Sequence, residues 1–313
     1  MQRKIRHQSK NRVVVVADDM GKSSSVNSAI AEAHKRGILT SASIMAGGQA
    51  FEEAVIIAAE CSSLSVGLHV TLCDGRAVLP PSQIPDLVDR DGNFEESPAK
   101  TWINCTSPGV FSQIEAEVQA QFSKLSRAGI CPTHVDGHHH LQMHPRIFEI
   151  VCKQASQRGV GWIRLPSEPL ALVLGFRSFA RGFMPFIEWV VFRMLSAYNL
   201  KTAWRYGINV AYRCFGLSWT GSIDEKCFID LLDYAKGPID EIFVHPDNST
   251  DSGRRELEAL TSTDVRNKVY SCTDLVGYRE LSGEGIVFGS VLGGVSKTEH
   301  FVPMEKGDKK VFR

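Results

Sequence analysis

Arg12-Val13-Val14-Val15-Val16-Ala17-Asp18-Asp19-Met20 is the stretch that decides how this chain folds. Four consecutive valines are β-branched, favour extended backbone and are too few for a buried helix. Residues 12–17 therefore read as a strand buried on both faces, with two carboxylates directly after it. A helix follows: the serines at 23–25 offer an N-cap, Val26, Ile30 and Ala33 recur on one face, and Gly37 offers the stop. Further strands are expected at 38–45, 64–72, 133–141, 161–165 and 241–245. Between them lie helices at 51–60, 146–157, 224–235 and 263–269, and a helical stripe of Ile114, Val118, Phe122 and Leu125. Such alternation implies an α/β fold with a mainly parallel sheet, open or closed into a barrel. Neither an internal repeat nor a linker is visible, so one domain is expected.

Two regions break the rhythm. Residues 74–109 are rich in Pro, Gly, Asp and Ser, and are too long for a mere connector. Residues 169–200 are apolar with scattered arginines, and residues 282–313 read as a weakly ordered tail. Over all 313 residues, 43% are hydrophobic and 22% charged, which argues against general disorder. Lys+Arg and Asp+Glu both total 35, which removes the electrostatic case for a nucleic-acid partner. The basic opening is followed by an apolar run too short for a signal peptide. The eight cysteines form no C-x-x-C pair, and read as reduced thiols of a cytoplasmic protein.

The chemistry collects at the ends of expected strands, the edge that carries the active site in α/β barrels and open sheets. Alone, Asp18-Asp19 is a pair capping a turn, His69 a core histidine, and His245-Pro246-Asp247 an ordinary turn. Adjacent carboxylates after a buried strand nevertheless repel unless a cation or a shared proton relieves them. Five of the ten histidines lie between 134 and 144, in Thr133-His134-Val135-Asp136-Gly137-His138-His139-His140 and at His144. On a strand, Asp136, His138 and His140 share one face while His139 points away. Neutral imidazoles grouped with a carboxylate are typical ligands of zinc and other divalent metals.

These motifs, in this order, resemble the YdjC-like carbohydrate deacetylases, which include chito-oligosaccharide deacetylases. The resemblance covers residues 12–281 and rests on Ala17-Asp18-Asp19-Met20-Gly21, Gly37-Ile38-Leu39-Thr40-Ser41, and Gly67-Leu68-His69-Val70-Thr71-Leu72. It continues through Pro132-Thr133-His134-Val135-Asp136-Gly137-His138-His139-His140, Arg164-Leu165-Pro166 and His245-Pro246. Met20, Gly137 and Gln142 depart from the family's usual Phe, Ser and His. The resemblance implies an irregular (β/α) barrel of the glycoside hydrolase/deacetylase type, a homodimer, and a divalent metal (Mg2+ or Zn2+) on Asp19, His69 and His138. It places the catalytic aspartate on Asp18. His245 is then the candidate acid for the leaving amine, and His140 and Arg164 are the candidate substrate-positioning residues. The expected reaction removes an N-acetyl group from an N-acetylglucosamine-type sugar, and Asp18→Asn is expected to spare both metal and melting temperature.

The length, the apolar segment and the loop after His69 are similar to the hopanoid-biosynthesis-associated branch, which would make the sugar lipid-linked. Two rivals stand beside this reading: a metal-dependent phosphoesterase or amidohydrolase using His138 and His140 as an H-x-H pair, and a non-catalytic carbohydrate- or lipid-binding relative. Residues 169–200 are too interrupted by charge to span a membrane. On a helix after Pro185, Glu188, Arg193, Ser196 and Asn199 share a sector and leave a wide apolar face, which suits core packing or a dimer interface. The sharper expectation is a flap in peripheral contact with the inner membrane face, through Phe186 and Trp189.

Overall fold

The computed structural model describes residues 11–105, 109–177 and 184–283. Strand β1 (Asn11–Met20) lies inside an all-parallel sheet with β2 (Ser41–Ile44), β3 (Ser65–Val70), β4 (Val135–Gly137), β5 (Arg213–Phe215), β6 (Ile239–Val244) and β7 (Thr273–Leu275). The order is β4-β3-β2-β1-β6-β5. Along one edge of β1, β7 pairs with its first residues and β2 with its last. Strand β6 follows the other edge in register, from Arg12 opposite Ile239 to Ala17 opposite Val244.

The two ends of this ribbon meet. Val135 N donates to the Trp162 carbonyl and Arg164 N to the Val135 carbonyl, while Ile163 N donates to the Asn209 carbonyl just before β5. These single bridges close the ring into an irregular (β/α) barrel. The valine run explains why β1 is central. Val13, Val15 and Ala17 join the large core that includes Ile30 and Ala33 of helix Ser24–Arg36. Val14 and Val16 pack with Trp162, Cys214, Phe243 and Tyr278 in a second cluster. Alternate residues of one strand thus serve two apolar environments, which is why no polar alternation is legible in it.

Helix Phe51–Glu60 has the expected bounds, and helix Val110–Arg127 buries the expected stripe. Helix Asp251–Thr261 was not expected; its sequence is mostly polar, and its N-cap Thr250 accepts a hydrogen bond from Gly253 N. The segment after β3 carries order of its own, with antiparallel bridges Arg76↔Asn93 and Val88↔Phe94 and a short helix, Pro98–Asn104. The expected tail lies, from residue 284 onward, outside the described residues.

The apolar segment forms helices Leu170–Arg177 and Met184–Arg205; of its polar sector, Ser196 and Asn199 face inward while Glu188 is exposed. Ser196 Oγ donates to the Pro166 carbonyl (2.7 Å) and Asn199 Nδ2 to the Met143 carbonyl (2.8 Å), and both residues are buried. Trp189 Nε1 donates to the Glu168 carbonyl at 2.9 Å, so this ring is tied to the barrel rather than presented outward. The outward stripe is Ile187, Val191, Met194 and Tyr198, with Met194 68% and Tyr198 60% exposed. The apolar side chains divide: Phe192, Leu195, Leu200 and Ala203 pack on the core, as the core-packing reading expects, while the stripe of Ile187, Val191, Met194 and Tyr198 faces out.

Strand β3 is pressed against its neighbour at Gly67, where an added Cβ would sit 2.5–2.6 Å from three ring atoms of His134. Gly67→Ala should cost about 1–3 kcal/mol in urea denaturation, as overpacking does. Combining it with His134→Ala should return part of that loss; strictly additive losses would contradict the contact.

Candidate active site

The mouth of the barrel at the C-terminal strand ends collects the polar side chains, and local backbone irregularity aims them. Among the described residues, the non-glycine positions with left-handed φ are Asp19 (65°), Asp74 (44°), His139 (50°) and His140 (55°), and all four sit here. Such conformations are tolerated where surrounding structure over-determines them, and they cluster at functional sites. In β1 the turn at Asp19 coincides with a register shift between Ala17 and Met20. It defeats strand alternation, so both neighbouring carboxylates reach the site.

Three ligand atoms converge. Asp19 Oδ1 lies 3.1 Å from His69 Nε2 and 2.9 Å from His138 Nδ1, and the two nitrogens are 3.3 Å apart. Asp19 Oδ1 is buried and has no hydrogen bond of acceptable geometry, despite these short distances. A tetrahedral cation with bonds near 2.1 Å sets its ligand atoms about 3.4 Å apart, so the cluster needs little expansion to hold one. Lys22 Nζ contacts the other oxygen of Asp19 at 3.3 Å. Burial works against the Asp19 charge, yet His138 and His69 hold the carboxyl well below its usual range.

Behind His69, Asp136 Oδ1 takes Nδ1 at 2.8 Å, with Ser43 Oγ 3.1 Å from the same nitrogen. Burial opposes a charge on His69, but Asp136 and Asp19 outweigh it and push the imidazole up to about 10. These carboxylates demand positive charge, and a divalent cation among Asp19, His69 and His138 would answer that demand.

Beneath the cluster lies Arg164, 2% exposed. Its Nη1 and Nη2 grip Asp18 at 2.6 and 2.8 Å, Nη2 also meets Asp136 Oδ2 at 2.9 Å, and Nε meets Glu241 Oε1 at 2.5 Å. Tyr278 donates its hydroxyl to Glu241 Oε2 at 2.6 Å. Burial pushes the Glu241 carboxyl up, with Arg164 acting against it. The guanidinium is therefore fully engaged by protein carboxylates, and the expected contact of Arg164 with substrate is replaced by a supporting role under Asp18. Asp18 is likewise buried, with Oδ2 3.7 Å from Nε2 of the partly exposed His245. The backbone of His245 is fixed by its N–H donating to Glu256 Oε2.

The histidine run departs from the expected strand. Strand β4 ends at Gly137, and the left-handed pair His139-His140 turns the chain into a short 3-10 segment, His138–Met143. His139, expected to point away, places Nε2 3.2 Å from Asp74 Oδ2, which also receives His138 Nε2 at 3.3 Å. His140, expected beside His138, instead packs edge-on against Phe243 and Phe192, with centroids 5.2 and 5.8 Å away. Burial holds His140 neutral, well below the usual imidazole range, with Arg164 and His245 adding to the effect. The departures at Gly137 and Gln142 touch: a Cβ at 137 would lie 2.4 Å from Gln142 Oε1. Asp74, Glu241, Glu256 and Tyr278 escaped sequence reading, because single acids and an aromatic far apart in the chain leave no motif.

The fold is an α/β barrel whose C-terminal mouth carries a carboxylate–diimidazole cluster with the composition of a single-metal site, beside a buried carboxylate–guanidinium pair. The family model described as YdjC-like protein matches residues 12–271, and the chain belongs to that family. It is 38% identical over 146 residues to a carbohydrate deacetylase of Brevibacillus brevis, covering 47% of this chain and 56% of the relative. It is 36% identical over 151 residues to a chitooligosaccharide deacetylase of Salmonella typhimurium, covering 48% and 58%. The chain thus spans about half the length of the curated relatives it matches. A crystal structure from Enterococcus faecalis V583, named for a suggested role in cellobiose-phosphate cleavage, shares the fold with a TM-score of 0.67 and 23% identity, over 88% of this chain and 100% of that one.

Removing the guanidinium would leave three buried acids facing one another. Arg164→Met should destabilise the protein by about 3–5 kcal/mol in chemical denaturation, the cost of stranding buried charge. A loss below about 1 kcal/mol would show that the cluster does not depend on it.

Proposed function

We propose that the protein is a metal-dependent hydrolase that removes the acetyl group from an N-acetylated amino sugar. The observation that carries this reading is the convergence of Asp19 Oδ1, His69 Nε2 and His138 Nδ1 beside the buried Asp18. The relatives named as carbohydrate and chitooligosaccharide deacetylases support the substrate class. A divalent cation, Mg2+ or Zn2+, held by Asp19, His69 and His138 supplies Lewis-acid polarisation of the amide carbonyl and a lowered water pKa. Asp18 takes the proton of the attacking water, and Arg164 fixes its orientation. His245 protonates the departing sugar nitrogen, so the C–N bond breaks to give acetate and a free amine. His140, neutral and held between Phe243 and Phe192, keeps the wall beside His245 apolar.

A second assignment of the proton carriers is favoured by one observation: both oxygens of Asp18 are held by Arg164, whereas His245 is 30% exposed on its side chain. In that case His245 is the base and Asp18 orients it. The same contacts revise the expectation for Asp18→Asn, since an amide facing a guanidinium loses one of its charge partners; its melting temperature should fall.

Acetate release from N-acetylglucosamine oligomers should require added divalent metal and vanish with chelator. Metal content should drop in Asp19→Ala, His69→Ala and His138→Ala, and full occupancy in any of them would remove that ligand from the assignment. His245→Gln and Asp18→Asn should each lower kcat roughly 10²–10⁴-fold. Loss of the acidic limb of the pH profile in His245→Gln alone identifies it as the base.

The sugar carries a lipid in the finer form of this reading, and the outward stripe Ile187, Val191, Met194 and Tyr198 rests on the inner membrane face. An apolar face leading to Lys201 and Arg205 on the same helix suits an interfacial surface. No helix among the described residues is long and apolar enough to cross a membrane. The competing occupant of the stripe is a second copy in a homodimer. Ile187→Ser/Met194→Ser should reduce co-flotation with anionic vesicles and activity on a lipid-linked amino sugar. Unchanged flotation together with a shift from dimer to monomer would assign the stripe to the dimer.

A further inference from the structure

We infer that Asp74 is a positioning residue for the metal centre, fixing the tautomer of His138 so that its Nδ1 lone pair faces Asp19 and His69. The inference rests on the metal reading above. A neutral imidazole carries one N–H and one lone pair, and a carboxylate can only accept. Whichever ring nitrogen meets a carboxylate behind the site therefore takes the proton, and the opposite nitrogen is left to bind metal. His69 has Asp136 behind Nδ1 and offers Nε2. His138 is the mirror case: Asp74 Oδ2 lies behind Nε2, and Nδ1 is offered to the cluster. One centre thus uses two opposite tautomers, each set by its own carboxylate.

The backbone brings Asp74 there deliberately. Its φ of 44° is a left-handed conformation that Asp and Asn tolerate better than most residues, at the start of the turn after β3. His139, itself left-handed, shares the same Oδ2. Asp136 is fully buried, whereas the Asp74 side chain is 43% exposed and lines a groove with Lys22, Gly48, Arg76 and Asn93. A sugar lying in that groove would therefore meet a carboxylate that also orders a metal ligand. Asp74, His138 and His139 also have the composition of a three-ligand site of their own. Neutral His138 cannot lend a lone pair to both sites, and the more buried Asp19–His69 cluster holds the stronger claim on it.

The test uses the full chain, stripped of metal and titrated with Zn2+ against a chromophoric chelator, with 15N NMR of the histidine rings. One equivalent should bind to the wild type, with the His138 proton on Nε2. Asp74→Asn, which suits the same backbone and keeps a weaker acceptor, should bind Zn2+ roughly 10–100-fold more weakly. Asp74→Gly, also compatible with that φ, should lose more, and His139→Asn should bind as the wild type does. Wild-type affinity in Asp74→Asn and Asp74→Gly would overturn the inference while leaving the metal centre in place. A second equivalent in the wild type that disappears in His139→Asn would also overturn it, making Asp74 a direct ligand. Absence of Zn2+ binding by the wild type would remove both the inference and the metal reading beneath it.

Discussion

One guanidinium inside the barrel governs the geometry of everything above it. Arg164 is reached by carboxylates from β1, β4 and β6, each brought in by a different part of the chain. Burying ions is expensive, several kcal/mol apiece, and is offset only when each finds good partners. Asp136 meets His69 with one oxygen while Arg164 holds the other, and Asp18, gripped through both oxygens, faces His245. The site is therefore a stack: a neutralising guanidinium below, carboxylates in the middle, and mostly buried imidazoles above them. The mouth inherits its precision from a residue that no substrate needs to touch.

Much of this architecture was legible in the sequence, because the barrel's strongest signals are local. The valine run fixed β1, and the positions of His69, Asp136 and His245 at strand ends followed from alternation of apolar runs with amphipathic ones. Strands of three residues, β5 and β7, were invisible because so short a run has no periodicity to read. Arg164 is legible as a site residue, but sequence does not say whether a charged residue meets substrate or, as here, other charges. Glu241 sat within an expected strand as an anomalous acid, and only the barrel lumen explains it.

The failures at the histidine run have a single physical origin. Period-two reasoning assumes extended backbone, and His139 and His140 are left-handed. Two such residues in succession rotate the following side chains out of the expected series, sending His139 towards Asp74 and His140 into an aromatic wall. The same assumption fails at Asp19, there to the benefit of the site. Helix Met184–Arg205 shows a related limit: its polar sector was legible, but polarity alone does not say which side meets water. Ser196 and Asn199 turn inward because they donate to the carbonyls of the buried residues Pro166 and Met143.

The seam of the ring has a bearing on how such a barrel diversifies. The chain leaves the sheet after Arg164 and returns at Asn209, and these two points are already neighbours, joined through Ile163 and Gly161. Whatever lies between them is a detour whose start and finish are held together without it. Both apolar helices belong to that detour, and they hang from the part of the sheet that has the fewest ladder bonds to lose. Lengthening, trimming or resurfacing the detour leaves β1, its valines and the charge stack untouched. The fold thus separates a charge stack built on the strands from a pair of helices that lie outside the path of the sheet.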